Sequence, residues 1–216
     1  MSNSPAAASS EQREPTRVAL LSSKQSDRRQ RIVDVARQLA REGGYDAVQM
    51  RDVSARSGVA LGTIYRHFPS KDHLLVSVMS MWTDELSTQL HQRPARGSSP
   101  TTQVTDVLLR ACRSLEREPS LAAAVIRAMS STETGVSSAS REVGRNLRSM
   151  IDPLLADFDP DVRDNVIEIV NHVWLSTLIA WSSGRIQFSQ VSHQLAMTVR
   201  MLLDDDVRLP GRGSFS

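Results

Sequence analysis

Four polar side chains with the chemistry to contact a phosphodiester backbone lie within nine residues of this 216-residue chain: Thr63, Tyr65, His67 and Lys71. Tyrosine, histidine and lysine donate hydrogen bonds to phosphate oxygens, and such contacts position a protein on a duplex. The Thr63 hydroxyl suits a base edge, and its methyl group suits the methyl group of thymine. Arg51 lies twelve residues before Thr63 and offers a further cation. The pattern therefore predicts contact with double-stranded DNA.

The residues that lead into this group have little bulk: Ala60, Leu61, Gly62 and Thr63. Small side chains, and glycine above all, let a helix backbone come close to a ligand. We therefore expect residues 60–63 to form the tip of a helix that enters a DNA groove.

Two short helices, at 50–56 and 59–68, are predicted to position these side chains. Gly58 between them allows the left-handed backbone that a tight turn between helices requires. Val53, Val59 and Ile64 are expected to pack together across the turn. That packing sets a steep angle between the helices, so that the second one projects into a major groove.

Basic residues are concentrated in the same segment. Residues 24–75 carry ten Lys or Arg against six Asp or Glu, an excess of four positive charges, whereas residues 76–203 carry twelve against thirteen. A positive segment suits a polyanion. An ordinary helical hairpin with a solvated basic face is the alternative, and charge alone does not separate the two.

The segment GTIYRHFPSK at 62–71, with the residues from Gly44 onward, resembles the DNA-binding signature of the TetR family of transcriptional regulators. The resemblance implies an all-α fold of about nine helices, with an N-terminal three-helix helix-turn-helix domain and a C-terminal helical domain for ligand binding and dimerisation. It also implies a homodimeric repressor that binds a palindromic operator and is released by a small hydrophobic inducer. The expected DNA-binding residues are Arg51, Ala60, Leu61, Gly62, Thr63, Tyr65, His67 and Lys71.

Residues 43–79 and 172–203 are similar to a subgroup of this family that represses genes of sterol (cholesterol) catabolism. This closer resemblance implies a steroid acyl-CoA as the inducer. It is weaker over residues 95–160, where a ligand pocket would differ. The alternatives are a TetR-like activator, a regulator of another lipid or xenobiotic pathway, and a helical ligand-binding module that uses DNA little.

Composition and helical periodicity divide the chain into four parts. Residues 1–25, rich in Ser, Ala and Pro, are expected to form a disordered tail, with order beginning near Ser26. Residues 26–72 are predicted to be the DNA-binding domain and residues 73–203 the ligand-sensing and dimerisation domain. Residues 204–216 are predicted to be a mobile tail.

Helix-capping and helix-breaking residues set the expected helix boundaries. Gly43 and Gly44 end the first helix, and Ser70 caps a long helix that runs to about Gln92. Periodicity predicts further helices at about 102–117, 119–131, 138–157, 160–183 and 189–203.

The helices after residue 100 carry apolar faces wider than one core contact, which favours burial both around a cavity and against a partner subunit. The expected pocket residues, rich in Met and Trp that suit a large flat ligand, are Met79, Trp82, Leu108, Cys112, Val125, Met129, Trp174 and Leu178. The expected dimer seam comprises Leu195, Val199, Leu202 and Leu203. The candidates for a phosphate-bearing tail are Arg127, Arg141, Arg145 and Arg148. The alternative interpretation is that the apolar residues simply form the core of the monomer and that the arginines are solvated surface residues.

Other functions find little support in the sequence. The five histidines lie at no metal-binding spacing and no nucleophile–base motif occurs, so we expect no enzyme activity, no metal and no cofactor. Cys112 is predicted to be a small core residue, with a redox sensor as the alternative. Residues 1–10 lack the features of a secretory signal and no window resembles a membrane span, which predicts a cytoplasmic protein without membrane contact.

Overall fold

The structure is a computed structural model that describes residues 14–131 and 134–204, and within these ranges the regular elements are all helical. This confirms the all-α prediction. A short 3-10 helix follows α7 at Asp152–Leu155. The α-helices in chain order are α1 (Glu14–Ala47), α2 (Met50–Ser57), α3 (Leu61–His67), α4 (Lys71–Gln92), α5 (Pro100–Glu116), α6 (Pro119–Met129), α7 (Thr134–Ile151), α8 (Pro160–Ser182) and α9 (Phe188–Leu203).

The first helix begins at Glu14, twelve residues before the start that the sequence suggested at Ser26. Alanine and leucine in its first turns favour a helix even without a partner surface, and Pro15 is tolerated there because a first-turn amide needs no helical acceptor. Helix α1 therefore includes residues 14–25, which the sequence assigns to the N-terminal tail. Residues 1–13 and 205–216, which make up the rest of the two predicted tails, lie outside the described residues.

The glycine pair interrupts α1 as predicted. Gly43 has φ −152° and ψ 22°, and Gly44 has φ 68° and ψ −156°, so the helical path breaks at these two residues. Only glycine adopts the Gly44 conformation without strain. The break redirects the chain through Tyr45 toward α2.

Long apolar helix α4 joins the N-terminal helices to the rest of the molecule. Ser70 caps it by accepting a hydrogen bond from the His73 amide at 3.1 Å. Its buried residues include Leu74, Met79 and Leu86, and α4 packs against α1, α6 and α7. One continuous hydrophobic core therefore runs from α1 to α9.

Proline and serine start the later helices close to where periodicity predicts. Ser99 and Thr102 form a reciprocal capping box at the start of α5, and Pro119 and Pro160 open α6 and α8. The largest difference is α7, which spans Thr134–Ile151 rather than about 138–157, with the 3-10 helix Asp152–Leu155 after its end. Helix α5 packs on α9, and α8 packs on both α6 and α9.

Candidate DNA-binding surface and ligand cavity

The turn between α2 and α3 has the geometry of a tight helix-turn-helix. Gly58 adopts the left-handed conformation, with φ 66° and ψ 19°, and its amide donates to the Ser54 carbonyl at 3.1 Å. The Ser54 hydroxyl donates to the Val59 carbonyl at 2.8 Å. These bonds close the turn and fix the direction in which α3 leaves it.

The apolar trio expected to hold the two helices together is buried. Val53 and Ile64 are fully buried and Val59 is nearly so, and all three belong to the common core. Burying each side chain stabilises the arrangement by about 1.5–3 kcal/mol relative to exposure. Helix α3 is therefore anchored by one face, and its opposite face is left to solvent.

The outward face of α3 carries part of the expected DNA-binding set. Gly62 and Tyr65, three residues apart and so on one side of the helix, are exposed, with Tyr65 at 47%. Ala60 and Arg51 are also exposed, whereas Leu61, Thr63, His67 and Lys71 are partly buried along the edges of this face. The tip of α3 is thus accessible, and its approach to a groove stays a prediction.

Lys71 is held by contacts within the protein. Its Nζ lies 3.8 Å from the centre of the Tyr45 ring and 3.3 Å from the Tyr45 carbonyl oxygen. The Tyr45 hydroxyl donates to Asp72 Oδ1 at 2.5 Å. The cation is therefore positioned in advance at the start of α4, next to α3, by a tyrosine that the sequence analysis did not single out.

Basic residues of α1 reach the same region as α3. The pKa of His67 is lowered, first by partial burial and then by the positive charges of Arg66, Arg29 and Arg28. The Arg29 guanidinium lies 5.2 Å from the centre of the Phe68 ring. The positive excess noted in the sequence is thus gathered around the end of α3.

A cavity of about 170 Å³, here called the sensor cavity, lies between α4, α6, α7 and α8. Four of the expected pocket residues line it: Met79, Met129, Trp174 and Leu178. Its other lining residues are Ile126, Ser140, Val143, Gly144, Leu147, Asn171 and Leu175. Apart from Ser140 and Asn171 the wall is almost entirely hydrophobic, which suits an apolar ligand.

The remaining expected pocket residues lie elsewhere. Trp82 and Val125 border a void of about 10 Å³ that Met79 also borders, and the Trp82 indole donates to Ser114 Oγ at 3.1 Å. Leu108 and Cys112 are buried on α5, which packs on α9, and they line neither space. Burial raises the pKa of the Cys112 thiol to about 11, so this residue behaves as a core side chain.

A second cleft, here called the arginine cleft, has a volume of about 330 Å³ and lies between the end of α4 and α5. Arg110 is held there by the Arg93 carbonyl at 2.5 Å and by Asp106 at 2.6 Å. The arginines that line the cleft are Arg93, Arg96, Arg110, Arg113 and Arg117. One carboxylate faces five guanidinium groups, so the cleft is strongly positive.

Two of the arginines expected to meet a phosphate have other partners. The Arg127 guanidinium stacks 3.9 Å from the centre of the Tyr45 ring, and Arg148 pairs with Asp164. Arg127 also lies 3.5 Å from Asp46. These positions are therefore tied to structural contacts, and the arginine cleft is the feature that the sequence analysis missed.

Ion pairs join α1 to the sensor helices. Arg41 binds Glu118 through two contacts of 2.6 Å, and Arg37 binds Glu85 of α4 at 2.6 Å. The hydrogen bond from Arg41 holds the pKa of Glu118 below its usual value and raises that of Arg41. Helix α1 is thereby coupled to both α4 and α6.

Comparison with known proteins decides the family. Residues 32–78 match the family described as bacterial regulatory proteins, tetR family, and residues 97–202 match the tetracyclin repressor-like C-terminal domain. The chain is 35% identical over 192 residues to the HTH-type transcriptional repressor KstR of Rhodococcus jostii (strain RHA1), covering 88% of this chain and 90% of that protein. The chain belongs to the TetR family.

Further relatives agree with this assignment. KstR of Mycobacterium tuberculosis is 34% identical over 182 residues, which cover 84% of this chain and 83% of that protein. A TetR transcriptional regulator from Rhodococcus sp. RHA1 shares the structure with a TM-score of 0.76 at 29% identity, covering 84% of this chain and 98% of that one. The resemblance drawn from the sequence is therefore confirmed, and the chain is a TetR-family transcriptional repressor.

In this TetR-family chain, large exposed apolar side chains of the described residues are concentrated in two places. One is α3, which carries Tyr65. The other is formed by Val162, Ile169, Met197 and Met201 on α8 and α9, here called the α8–α9 face; Leu175 of α8 is exposed as well but lines the sensor cavity. The expected seam residues Leu195 and Val199 are instead fully buried, because α9 turns that stripe toward its own subunit. None of the helices within 14–131 and 134–204 is both long and apolar enough to cross a membrane.

Proposed function

We propose that this protein is a homodimeric repressor that holds a palindromic operator and releases it when a small hydrophobic inducer enters the sensor cavity. The observation that carries the proposal is the distribution of exposed apolar side chains, which lie on α3 and on the α8–α9 face. The first surface suits DNA and the second suits a partner subunit.

Two features favour dimerisation: the exposed surface of α9 and the short length of the DNA-binding helix. Exposed Met197 and Met201 lie one helical turn apart on α9, and flexible thioether chains pack well against a like surface. A single seven-residue recognition helix reads only a few base pairs. Two copies related by a two-fold axis read a palindrome whose half-sites lie at least one turn of DNA apart.

The proposed DNA contacts divide by chemistry. Lys71 and Tyr65 bind phosphate and set the position, as do Arg51 and His67. Ala60, Leu61 and Gly62 form the tip of the helix, where small side chains let the backbone approach the DNA closely. Thr63 contacts a base edge. Such a protein acts on the chromosome, so we propose a cytoplasmic location.

The size of the sensor cavity suggests how an inducer acts. A cavity of roughly 150 Å³ holds a molecule the size of benzene, so the 170 Å³ found here is too small for a steroid body. Binding must therefore move the surrounding helices. Met79 belongs to α4, whose first residue is Lys71, so widening the cavity displaces the element on which the DNA-binding helix rests. A coupling of about 1–3 kcal/mol is typical of such switches.

A steroid acyl-CoA is the inducer that we propose, as the resemblance to the sterol subgroup implies. The arginine cleft supplies cations for the phosphates of the CoA group, and arginine binds phosphate through paired hydrogen bonds. Two structures that share this fold, FadR of Bacillus subtilis and FadR of Thermus thermophilus, are complexes with stearoyl-CoA and lauroyl-CoA. At 16% and 17% identity they support the fold, and their ligands support the proposal by analogy.

A gel shift with the protein's own promoter region at about 0.1 M salt tests the proposal. We expect a retained band with DNA that contains an inverted repeat, and a weaker one with Tyr65→Ala. If no palindromic DNA is retained, the proposal is wrong. In a deletion strain the target transcripts should rise; a fall would identify an activator instead.

A further inference from the structure

Three of the residues that line the sensor cavity each carry a buried polar atom without a hydrogen-bond partner. The atoms are Ser140 Oγ on α7, and Asn171 Oδ1 and Trp174 Nε1 on α8. Trp174 is 97% buried, with 3% of its surface exposed. Asn171 and Trp174 are three residues apart, so both lie on one side of α8. We call these residues the polar trio.

An unpaired buried polar atom is uncommon and costly. The large majority of buried side-chain polar atoms in proteins have a hydrogen-bond partner. Leaving one unpaired forfeits the interaction with water that it has in the unfolded chain. Three such atoms around one apolar cavity indicate a site whose partner arrives with a ligand.

The chemistry of the trio specifies that partner. An indole N–H only donates, an amide oxygen only accepts, and a serine hydroxyl does both. An alcohol oxygen accepts from Trp174 and donates to Asn171, whereas a ketone oxygen can only accept. The surrounding apolar lining includes Met79, Ile126, Met129, Val143, Leu147 and Leu178.

We propose that the sensor cavity recognises a hydroxyl group on an apolar ligand, through Ser140, Asn171 and Trp174. The inference rests on the proposed function in that it takes this cavity as the inducer site. It goes further by naming the functional group that is read and the residues that read it. The trio makes the site selective for an alcohol over the hydrocarbon of the same shape.

The test uses three probes with one carbon skeleton: 5α-androstane, 5α-androstan-3-one and 5α-androstan-3β-ol. Binding to the full-length protein is measured by isothermal titration calorimetry. We expect the alcohol to bind about tenfold more tightly than the hydrocarbon, as one or two net hydrogen bonds give. The ketone should fall between the two.

Two variants remove single members of the trio while keeping their shape. Trp174→Phe deletes the N–H, and Asn171→Leu deletes the acceptor; each should reduce the alcohol preference several-fold and leave hydrocarbon binding at least as strong. Trp181→Phe is the matched control, because Trp181 packs on Phe188, 5.0 Å between ring centres, and does not line the cavity. If one variant fails to fold, the other carries the test.

A spectroscopic readout separates direct contact from a structural effect. The chain has three tryptophans, so a ¹H–¹⁵N spectrum shows three indole signals, and the one that Trp174→Phe removes belongs to Trp174. That signal should move when the alcohol or the ketone binds and should move far less with the hydrocarbon. A purely structural role for Trp174 predicts the same movement with all three.

The outcomes distinguish this inference from the proposed function. If the hydrocarbon and the alcohol bind wild-type protein equally and both release the operator, the hydroxyl inference is wrong and the repressor proposal stands. If the alcohol preference survives in both variants, the trio does not recognise the hydroxyl group, and the inference is again wrong. If no probe binds while the operator is still retained, the cavity is not the inducer site and both the inference and that part of the proposal fail.

Discussion

The DNA-reading helices α1–α3 and the sensor helices α4–α9 carry their candidate functional side chains in opposite ways. In α3, exposed Tyr65 directly follows fully buried Ile64. In the sensor part, Met79 and Trp174 line the ligand cavity and also belong to the hydrophobic core. In α1–α3, neighbouring residues therefore divide the work: one is available to contact DNA and the next stabilises the fold. In α4–α9, the same residues both line the ligand cavity and stabilise the fold.

The two neighbours in α3 provide the strongest test of this contrast. Ile64→Ala should lower the free energy of unfolding by about 2–5 kcal/mol, because it leaves a cavity in a small domain. Tyr65→Ala should change it by less than about 0.5 kcal/mol and still weaken operator binding. Denaturant unfolding and gel shifts measure the two effects. A large stability loss in Tyr65→Ala would contradict the division.

The same contrast explains how much the sequence could reveal. The α2–α3 turn is predictable because Gly58 and the small residues before Thr63 are unusual choices that an ordinary helical hairpin does not need. The sensor cavity is not predictable from the sequence, because Met and Trp at helical spacing give the same pattern whether they line a cavity or pack in a solid core. Cys112 and Leu108 fit the apolar pattern as well as Met129 does, but both are buried on α5 without lining the cavity.

Periodicity also cannot choose between two stripes on one helix. Leu195 and Val199 form the stronger apolar stripe of α9, and the sequence therefore predicts them in the dimer seam, but they face the subunit's own core. The exposed stripe contains Met197 and Met201. Nothing in the helical periodicity distinguishes Ser140 or Asn171 from other polar residues, and only the three-dimensional packing brings them to the cavity wall.

A cavity-filling substitution should separate sensing from stability in the second region. A Cβ atom at Gly144 meets nothing within 4 Å, and Gly144 lines the sensor cavity. Gly144→Leu should lower inducer affinity by about 1–3 kcal/mol by occupying the space. Helix propensity should offset any strain by about 1 kcal/mol.

We expect this variant to bind the operator normally and to resist release by 5α-androstan-3β-ol. Gly62→Leu adds the same side chain to α3 and serves as the comparison. It should weaken operator binding and leave the affinity for 5α-androstan-3β-ol unchanged. If Gly144→Leu still binds the probe with wild-type affinity, the ligand lies elsewhere.

Charge reversal in the arginine cleft tests the second half of the proposed inducer site. Arg113→Glu should weaken lauroyl-CoA binding about tenfold, because reversing one charge near a phosphate is worth about 1–2 kcal/mol. Dodecanol, which lacks phosphate, should bind both proteins alike. Arg185→Glu makes the same charge change outside the cleft. Equal losses in the two variants would show a general charge effect instead.

The ion pair between α1 and α6 connects the two regions, and its contribution should be smaller. Glu118→Gln removes the pair with Arg41 and should cost about 0.2–1 kcal/mol, since the pair is partly exposed. The lowered pKa of Glu118 gives stability that is present above pH 4.5 and is lost as the pH falls below that value.

Acid unfolding should therefore be less steep in Glu118→Gln than in the wild type below pH 4.5. Glu42→Gln removes an exposed pair between α1 and α2, within the reading region, and is the matched control. Inducer-dependent release should change in Glu118→Gln and not in Glu42→Gln. Identical inducer-dependent release in the two variants would mean that the pair between Arg41 and Glu118 does not couple α1 to α6.

The smallest expected effect concerns His67, a partly buried member of the DNA-binding set. Its lowered pKa leaves the ring mostly neutral at neutral pH, and a phosphate oxygen beside the ring favours the protonated form. Operator affinity should therefore rise, by about two- to threefold, as the pH falls below neutrality toward the lowered pKa of His67. His67→Gln keeps an N–H donor that does not titrate, and its affinity should lack this rise, while His73 is present in both proteins. If wild-type protein and His67→Gln respond to pH alike, His67 makes no phosphate contact. The DNA-binding surface would then exclude His67 and be limited to the face of α3 that carries Tyr65.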